Sequence, residues 1–257
     1  MKHGIGKSIL IFGIAAAAFF TVLPGRQVAD PAVLEVQAAG DGTQLLSPEN
    51  LTVLGNVIGA VENGGQIYGR KEYAAYVPAF HASDAEYTCT LGWCSCYGQN
   101  AHDLIQLIYQ SDPQGFAKTD PDGIILQRLA TDWVAEQWNP NEEEKAILLS
   151  LITSPIGQQC QDQMFYRLIT DYLTECNALY GITDPKALMM YSEIELLGGS
   201  AAAQRVFNRC DGDYSVMTIL NALFQDFDGN MDGNLVGSPK YWQRHLVCAT
   251  YINQFAQ

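Results

Sequence analysis

Glu62 stands four residues after Ile58 and seven after Gly55, on the edge of the apolar face of a helix that Gly64-Gly65 brings to a stop. A carboxylate in a last turn meets the negative end of the helix dipole, and burial at the edge of a core adds to that; both disfavour its charged form. Local rules would put Lys or Arg there instead. A carboxyl group that keeps its proton near neutral pH is what a glycosidase uses as its general acid. Glu195 has the same placement, just before Gly198-Gly199, so the dipole argument alone does not separate the two. Their downstream segments do. Glu62 runs into a tyrosine-rich segment, whereas Glu195 runs into another amphipathic helix, and Glu62 is therefore the candidate acid.

Sugar rings present one apolar C–H face, so carbohydrate clefts combine aromatic side chains with amides and hydroxyls that fix orientation. Tyr68, Tyr73, Tyr76, Tyr87, Trp93 and Tyr97 fall within thirty residues beside Glu62, with Asn63, Gln66, Thr88 and Thr90 as polar partners. The candidate sugar-binding set is Asn63, Gln66, Tyr68, Tyr76, Thr88, Thr90, Trp93 and Tyr97. Half of the aromatic residues are expected to serve packing, Trp93 and Tyr87 first.

Rival chemistries have weaker spacing. Cys96 precedes an expected helix, a position that favours a thiolate, and His81, His102 or His245 would be its base in a cysteine amidase or peptidase. Everything after Cys96 is helical, however, and Cys94-Ser95-Cys96 near Cys89 suits disulfides better in an oxidising compartment. The Cys-x4-Cys-x-Cys spacing is not one that zinc uses, and no metal or cofactor is expected. Asp228-Gly229-Asn230-Met231-Asp232-Gly233-Asn234-Leu235 matches the first eight positions of a calcium loop, but position twelve is Pro239 where a bidentate Glu belongs. A polar turn between helices is the expectation there.

The elements that must position these groups are set by periodicity. Ser47 caps a helix with Pro48 at its first position, and Leu51, Leu54, Ile58 and Val61 repeat at helical spacing. Residues 66–93 alternate Tyr, Thr and Val with Gly, Pro and Asp, most clearly at 87–91, and predict a small irregular β region. Helices are then expected at roughly 97–110, 121–138, 141–153, 157–180, 184–198, 200–209, 214–225 and 238–255. One helix, a compact β segment and a helical bundle make an α+β fold that is predominantly α. Cys160 and Cys176 share one expected helix, where sixteen residues span about 24 Å, so they should not pair with each other.

The stretch from Val57 to Gly65, continuing through Tyr87-Thr88-Cys89-Thr90-Leu91-Gly92-Trp93, resembles the catalytic core of the lysozyme-like superfamily, which includes phage lysozymes, lytic transglycosylases and chitosanases. The resemblance is strongest over 47–110 and continues through 184–191 and Tyr241-Trp242-Gln243-Arg244-His245. It implies a lysozyme-like fold, Glu62 as the acid ending a helix, and a second carboxylate, where there is one, from the β region. Asp84 and Glu86 are the candidates, with Asp84 preferred because it precedes the 87–93 stretch. The implied activity is cleavage of β-1,4 bonds in peptidoglycan glycan strands, by hydrolysis or, if neither carboxylate acts, by transglycosylase chemistry. A chitosanase-like hydrolase of another amino-sugar polymer and a catalytically silent wall-binding protein are the alternatives.

The chain also carries an export pattern: Lys2, His3 and Lys7, an uncharged apolar run from Ser8 to Leu23, and small residues near Ala38. We expect residues 1–38 to be a signal peptide, 39–46 a disordered leader and 47–257 one catalytic domain, secreted, wall-associated and without stable membrane insertion. Net charge is −14, or about −15 once the first 38 residues are gone, which argues against a nucleic-acid partner. Acidity is also awkward for work on an anionic wall, so the polymer is expected to be held by neutral sugar contacts. All seven cysteines lie beyond the signal, and one would remain unpaired if the others formed disulfides.

Overall fold

The computed structural model describes residues 45–79, 88–227 and 239–257. The expected signal segment, His81, Asp84, Glu86, Tyr87 and the 228–235 loop lie outside the described residues. Helix α1 (Pro48–Glu62) starts where its signals place it, with the Ser47 hydroxyl accepting from Asn50 N at 3.2 Å and Pro48 at the first position. Among the described residues three two-residue strands come next: β1 (Tyr76–Val77), β2 (Thr90–Leu91) and β3 (Cys96–Tyr97). They pair antiparallel in the order β1-β2-β3, with Tyr76 opposite Leu91 and Thr90 opposite Tyr97.

Helices then run α2 (Gln99–Ser111), α3 (Pro113–Thr119), α4 (Ile124–Arg128), α5 (Glu142–Thr153), α6 (Pro155–Tyr180), α7 (Pro185–Gly198), α8 (Ser200–Asn208), α9 (Val216–Phe227) and α10 (Pro239–Phe255). Two expectations need correction. The helix foreseen over 121–138 survives only as α4, because polar side chains capture the backbone groups a longer helix would need. The Asp120 carboxylate takes Ile124 N and Leu126 N at 2.7 and 2.9 Å, Trp133 Nε1 donates to Arg128 O, and Asp132 takes Val134 N and Ala135 N. The helix foreseen from 97 begins two residues later, since Cys96 and Tyr97 are spent on β3 and Gly98 makes the turn into α2. Helix α3 has no counterpart among the expected helices; the remaining ones lie within a few residues of their predicted bounds, and the α+β, predominantly helical class holds.

The core is organised around α7. Every residue from Ala187 to Glu195 is buried, and the helix packs against α1, α6, α8, α9 and α10. Its sequence suggests one apolar face ending in Leu197, but a central helix is covered all round. Two glutamates are buried with it. Glu193 faces His245 of α10, whose Nδ1 lies 2.7 and 2.9 Å from its two oxygens, while Glu195 Oε2 has no hydrogen-bond partner among the described residues. Helices α1 and α10 run antiparallel, tied at one end by Asn50, which exchanges hydrogen bonds of 2.9 and 3.0 Å with Gln257. Among the described residues no helix is long and apolar enough to cross a membrane.

Burial, and behind it the charges of Glu175 and Asp171, pushes the Glu195 carboxyl up from its ordinary 4.5 to about 7. The folded state thus holds a proton that the unfolded chain has released. The associated stability is fully present below the unfolded value and is lost as pH rises through about 7. Relative to Glu195→Gln, the wild type should lose about 2–3 kcal/mol between pH 5 and pH 9. Urea unfolding of both proteins across that range checks this, and parallel curves would locate the effect elsewhere.

Candidate active site

The last turn of α1 contains no basic residue to offset Glu62. The cation comes from the other end of the chain. Arg244 of α10 places Nη2 on Glu62 Oε1, with both side chains largely enclosed, the glutamate at 12% and the arginine at 15% exposure. The second oxygen, Oε2, accepts a 2.8 Å hydrogen bond from Ser95 Oγ. Thus a helix end, a β turn and a distant helix converge on one carboxylate, and both of its oxygens act as acceptors.

Each contributor is fixed by local chemistry. Gly59, one turn before Glu62, lies against the returning chain so closely that a Cβ there would sit 2.8 Å from Lys71 Cγ and 3.0 Å from Arg70 O. Ser95 sits in the β2–β3 turn, which opens at Gly92 with φ +78°, where a Cβ would fall 2.3 Å from Gln161 Oε1. That amide is the anchor of the turn: Gln161 Oε1 accepts from Trp93 N at 3.0 Å, and its Nε2 donates to Tyr73 O and Ile152 O at 3.2 and 2.8 Å. The neighbouring Asp162 accepts from Lys71 Nζ, Tyr73 OH and Trp93 Nε1 at 3.0, 3.1 and 3.0 Å. Lys71 Nζ also stands 4.1 Å above the Trp93 ring. On α10, the enclosed His245–Glu193 pair fixes the helix to α7 one residue beyond Arg244.

The residues expected to touch sugar are dispersed. Asn63 is half-buried and closes α1, its N–H reaching Gly59 O. Gln66 is exposed and gives its carbonyl to Tyr251 OH at 2.7 Å. Tyr68 stacks on Phe255 at 4.2 Å, so one of its faces is spent on α10. Thr90 and Tyr97 are half-buried partners across the β2–β3 ladder. Tyr76 lines a 400 Å³ groove with Pro78, Asn139, Glu142 and Lys145, whose Nζ lies 5.2 Å from the ring centre. Trp93 is at 0% exposure and Thr88 at 1%, so neither presents a surface to a polymer; Trp93 packs against Phe165 at 4.9 Å. Sequence reasoning misses Ser95 and Arg244 as site residues. Ser95 sits between two cysteines, and Arg244 is 182 residues from the acid it faces.

Glu195, the other candidate acid, points into the bundle, where its charge acts on Tyr172 and Cys176 of α6. The thiol alternative loses its geometry: Cys96 is buried in β3 with its Sγ 3.5 Å from that of Cys94, and His102 is engaged with Leu129 O at 3.1 Å. Among the described residues no three His, Cys, Asp or Glu side chains converge as a metal site requires.

No protein-family model matches the chain, and no curated protein does. Solved structures do. Native chitosanase from Bacillus subtilis MY002 superposes with a TM-score of 0.54 at 12% identity, over 81% of this chain and 87% of that one. A glutamate-to-alanine mutant of that chitosanase, complexed with 6 GlcN, gives 0.52 at 13% over the same shares. At such identities the likeness is one of fold: the α+β arrangement described above resembles that of these chitosanase structures.

The disulfides expected from the sequence are absent: all seven cysteines are free and buried. Packed in the core they serve as small apolar side chains. The hydrogen bond with Cys96 and then burial drive the Cys94 thiol well above its ordinary range; burial does the same to Cys248 and takes Cys89 and Cys176 to about 12. Iodoacetamide at mildly alkaline pH should therefore leave the native protein unlabelled. In denaturant without reductant all seven sites should react, counted by intact mass; two fewer would reveal each disulfide.

Proposed function

We propose that the protein is a glycosidase that cleaves β-linked amino-sugar polymers, with Glu62 as the general acid. The observation that carries this reading is the carboxylate at the end of α1, held by Arg244 and Ser95 within a chitosanase-like fold. Glu62 delivers a proton to the glycosidic oxygen as the bond to the leaving sugar breaks. Arg244, a donor at every nitrogen and charged at all working pH values, keeps the carboxylate oriented and balances the negative charge that remains after transfer. Little charge reorganisation is then needed at the moment of reaction.

Peptidoglycan is the first expectation from the sequence. Net charge favours a glucosamine polymer instead: at −14 the protein attracts a polycation such as chitosan and repels an anionic wall. The chitosanase likeness supports the same substrate, since that enzyme's mutant was captured with 6 GlcN. Asp84 remains our choice for the second carboxylate, acting as base on a water. It lies 22 residues after Glu62 in the sequence, and as a base it would need to stand roughly 6.5–9.5 Å from the acid, the separation of an inverting enzyme. Export to the cell exterior, proposed from residues 1–38, would place the enzyme where such polymers occur.

Reducing-end release from chitosan and from peptidoglycan glycan strands tests the reading. The wild type should act on chitosan, and Glu62→Gln should lower the rate by about two to four powers of ten with folding intact. Asp84→Asn should do the same, and the first-formed product should carry the inverted anomer by NMR. Cleavage of peptidoglycan alone would move the substrate, anhydro-sugar products with full rate in Asp84→Asn would point to a single-acid mechanism, and no release from either polymer would leave a binding protein.

A further inference from the structure

Among the described residues, four that are not glycine hold a left-handed backbone: Gln66, Ser95, Gln137 and Asp211. Serine at φ +54° is disfavoured there, and such strain persists where the surroundings or the function require the side chain. Ser95 is the one whose side chain meets Glu62, at 2.8 Å. Its flanking thiols are turned into the core against each other, 3.5 Å apart, so the turn delivers a single hydroxyl to the carboxylate.

The two partners of Glu62 differ in kind. A guanidinium only donates, so a proton on Oε1 would face N–H groups that cannot accept it. A serine hydroxyl donates or accepts by rotating about one bond. We propose that Ser95 is a positioning residue for the acid: it assigns the transferable proton to Oε2 of Glu62 and turns to donate to that oxygen as the proton departs. This rests on Glu62 being the general acid. In the step, the Oε2–H bond breaks, a new O–H bond forms on the glycosidic oxygen, and the electron pair left on Oε2 is met by the Ser95 hydroxyl. Among the described residues, the other charged or titratable groups recorded near Glu62 are Arg244 and the thiol of Cys248, both from α10, with Glu193 of α7 and His245 paired behind them. None of these presents a rotatable hydroxyl.

Ser95→Gly is the test, because glycine suits the backbone better than serine and removes only the hydroxymethyl group. The variant should unfold at the same temperature as the wild type or higher. Its kcat on chitosan, or on whichever glycan the wild type cleaves, should fall about ten- to hundredfold with KM unchanged, the loss expected for one charge-assisted hydrogen bond made in the transition state. The alkaline limb of its pH–rate profile should move up, since the ionised carboxylate has lost a donor. Ser95→Ala should reproduce both changes without the gain in stability. Carbon-13 NMR of the Glu62 carboxyl supplies a readout independent of substrate: its ionisation midpoint should rise in Ser95→Gly. An inactive Glu62→Gln together with a Ser95→Gly of wild-type kcat, pH profile and NMR midpoint would overturn the assignment. An active Glu62→Gln would instead overturn the function, whatever Ser95 does.

Discussion

Strands two residues long make too few ladder hydrogen bonds to stand alone, so the β segment beside Glu62 takes its shape from α6. Two consecutive side chains do this. Gln161 is wholly buried and substitutes for missing backbone partners, holding Trp93 N, Tyr73 O and Ile152 O together. Asp162 gathers a lysine, a tyrosine and an indole around one carboxylate. Because a helix is rigid and a short sheet is not, the position of Ser95 is inherited from the register of α6. A buried amide that loses one of its three partners leaves a polar group unsatisfied, and that penalty locks the arrangement.

Three glutamates show how neighbours decide what a buried carboxyl does. Glu62 has a guanidinium and a hydroxyl, Glu193 has an imidazole, and Glu195 lies within reach of the like charges of Glu175 and Asp171. The helix-dipole argument treats Glu62 and Glu195 alike. What separates them is the neighbourhood: the carboxyl raised to about 7 is Glu195 inside the bundle, whereas Glu62 has a guanidinium across from it.

Local signals are legible wherever local chemistry governs. Ser47-Pro48, Asp184-Pro185 and the glycine pairs mark helix bounds close to those observed, because caps and breakers act within a turn. The segment over 121–138 misleads for the opposite reason: its apolar spacing suits a helix, but Asp120, Asp132 and the Trp133 indole bind backbone groups only once the chain has folded back on itself. Glu62 is visible in the sequence as a charge in an unusual place. Its partners are not, since no periodicity links Glu62 to Arg244, and Ser95 between two cysteines looks like part of a disulfide loop. The aromatic cluster lies beside Glu62 in the sequence, but Trp93 and Tyr68 are largely used for packing.

The pairing of Glu62 with Arg244 also sets an order of events. Its loop closes over 182 residues, among the longest contacts the chain can make, and contacts of that span form late in folding. During synthesis Glu62 emerges long before the guanidinium that faces it, and the β turn that carries Ser95 waits for α6. A truncated or half-folded chain therefore has helices but no assembled acid. On the proposed reading the site doubles as a checkpoint on completeness: the Glu62 arrangement is not assembled until α10 has docked against α1.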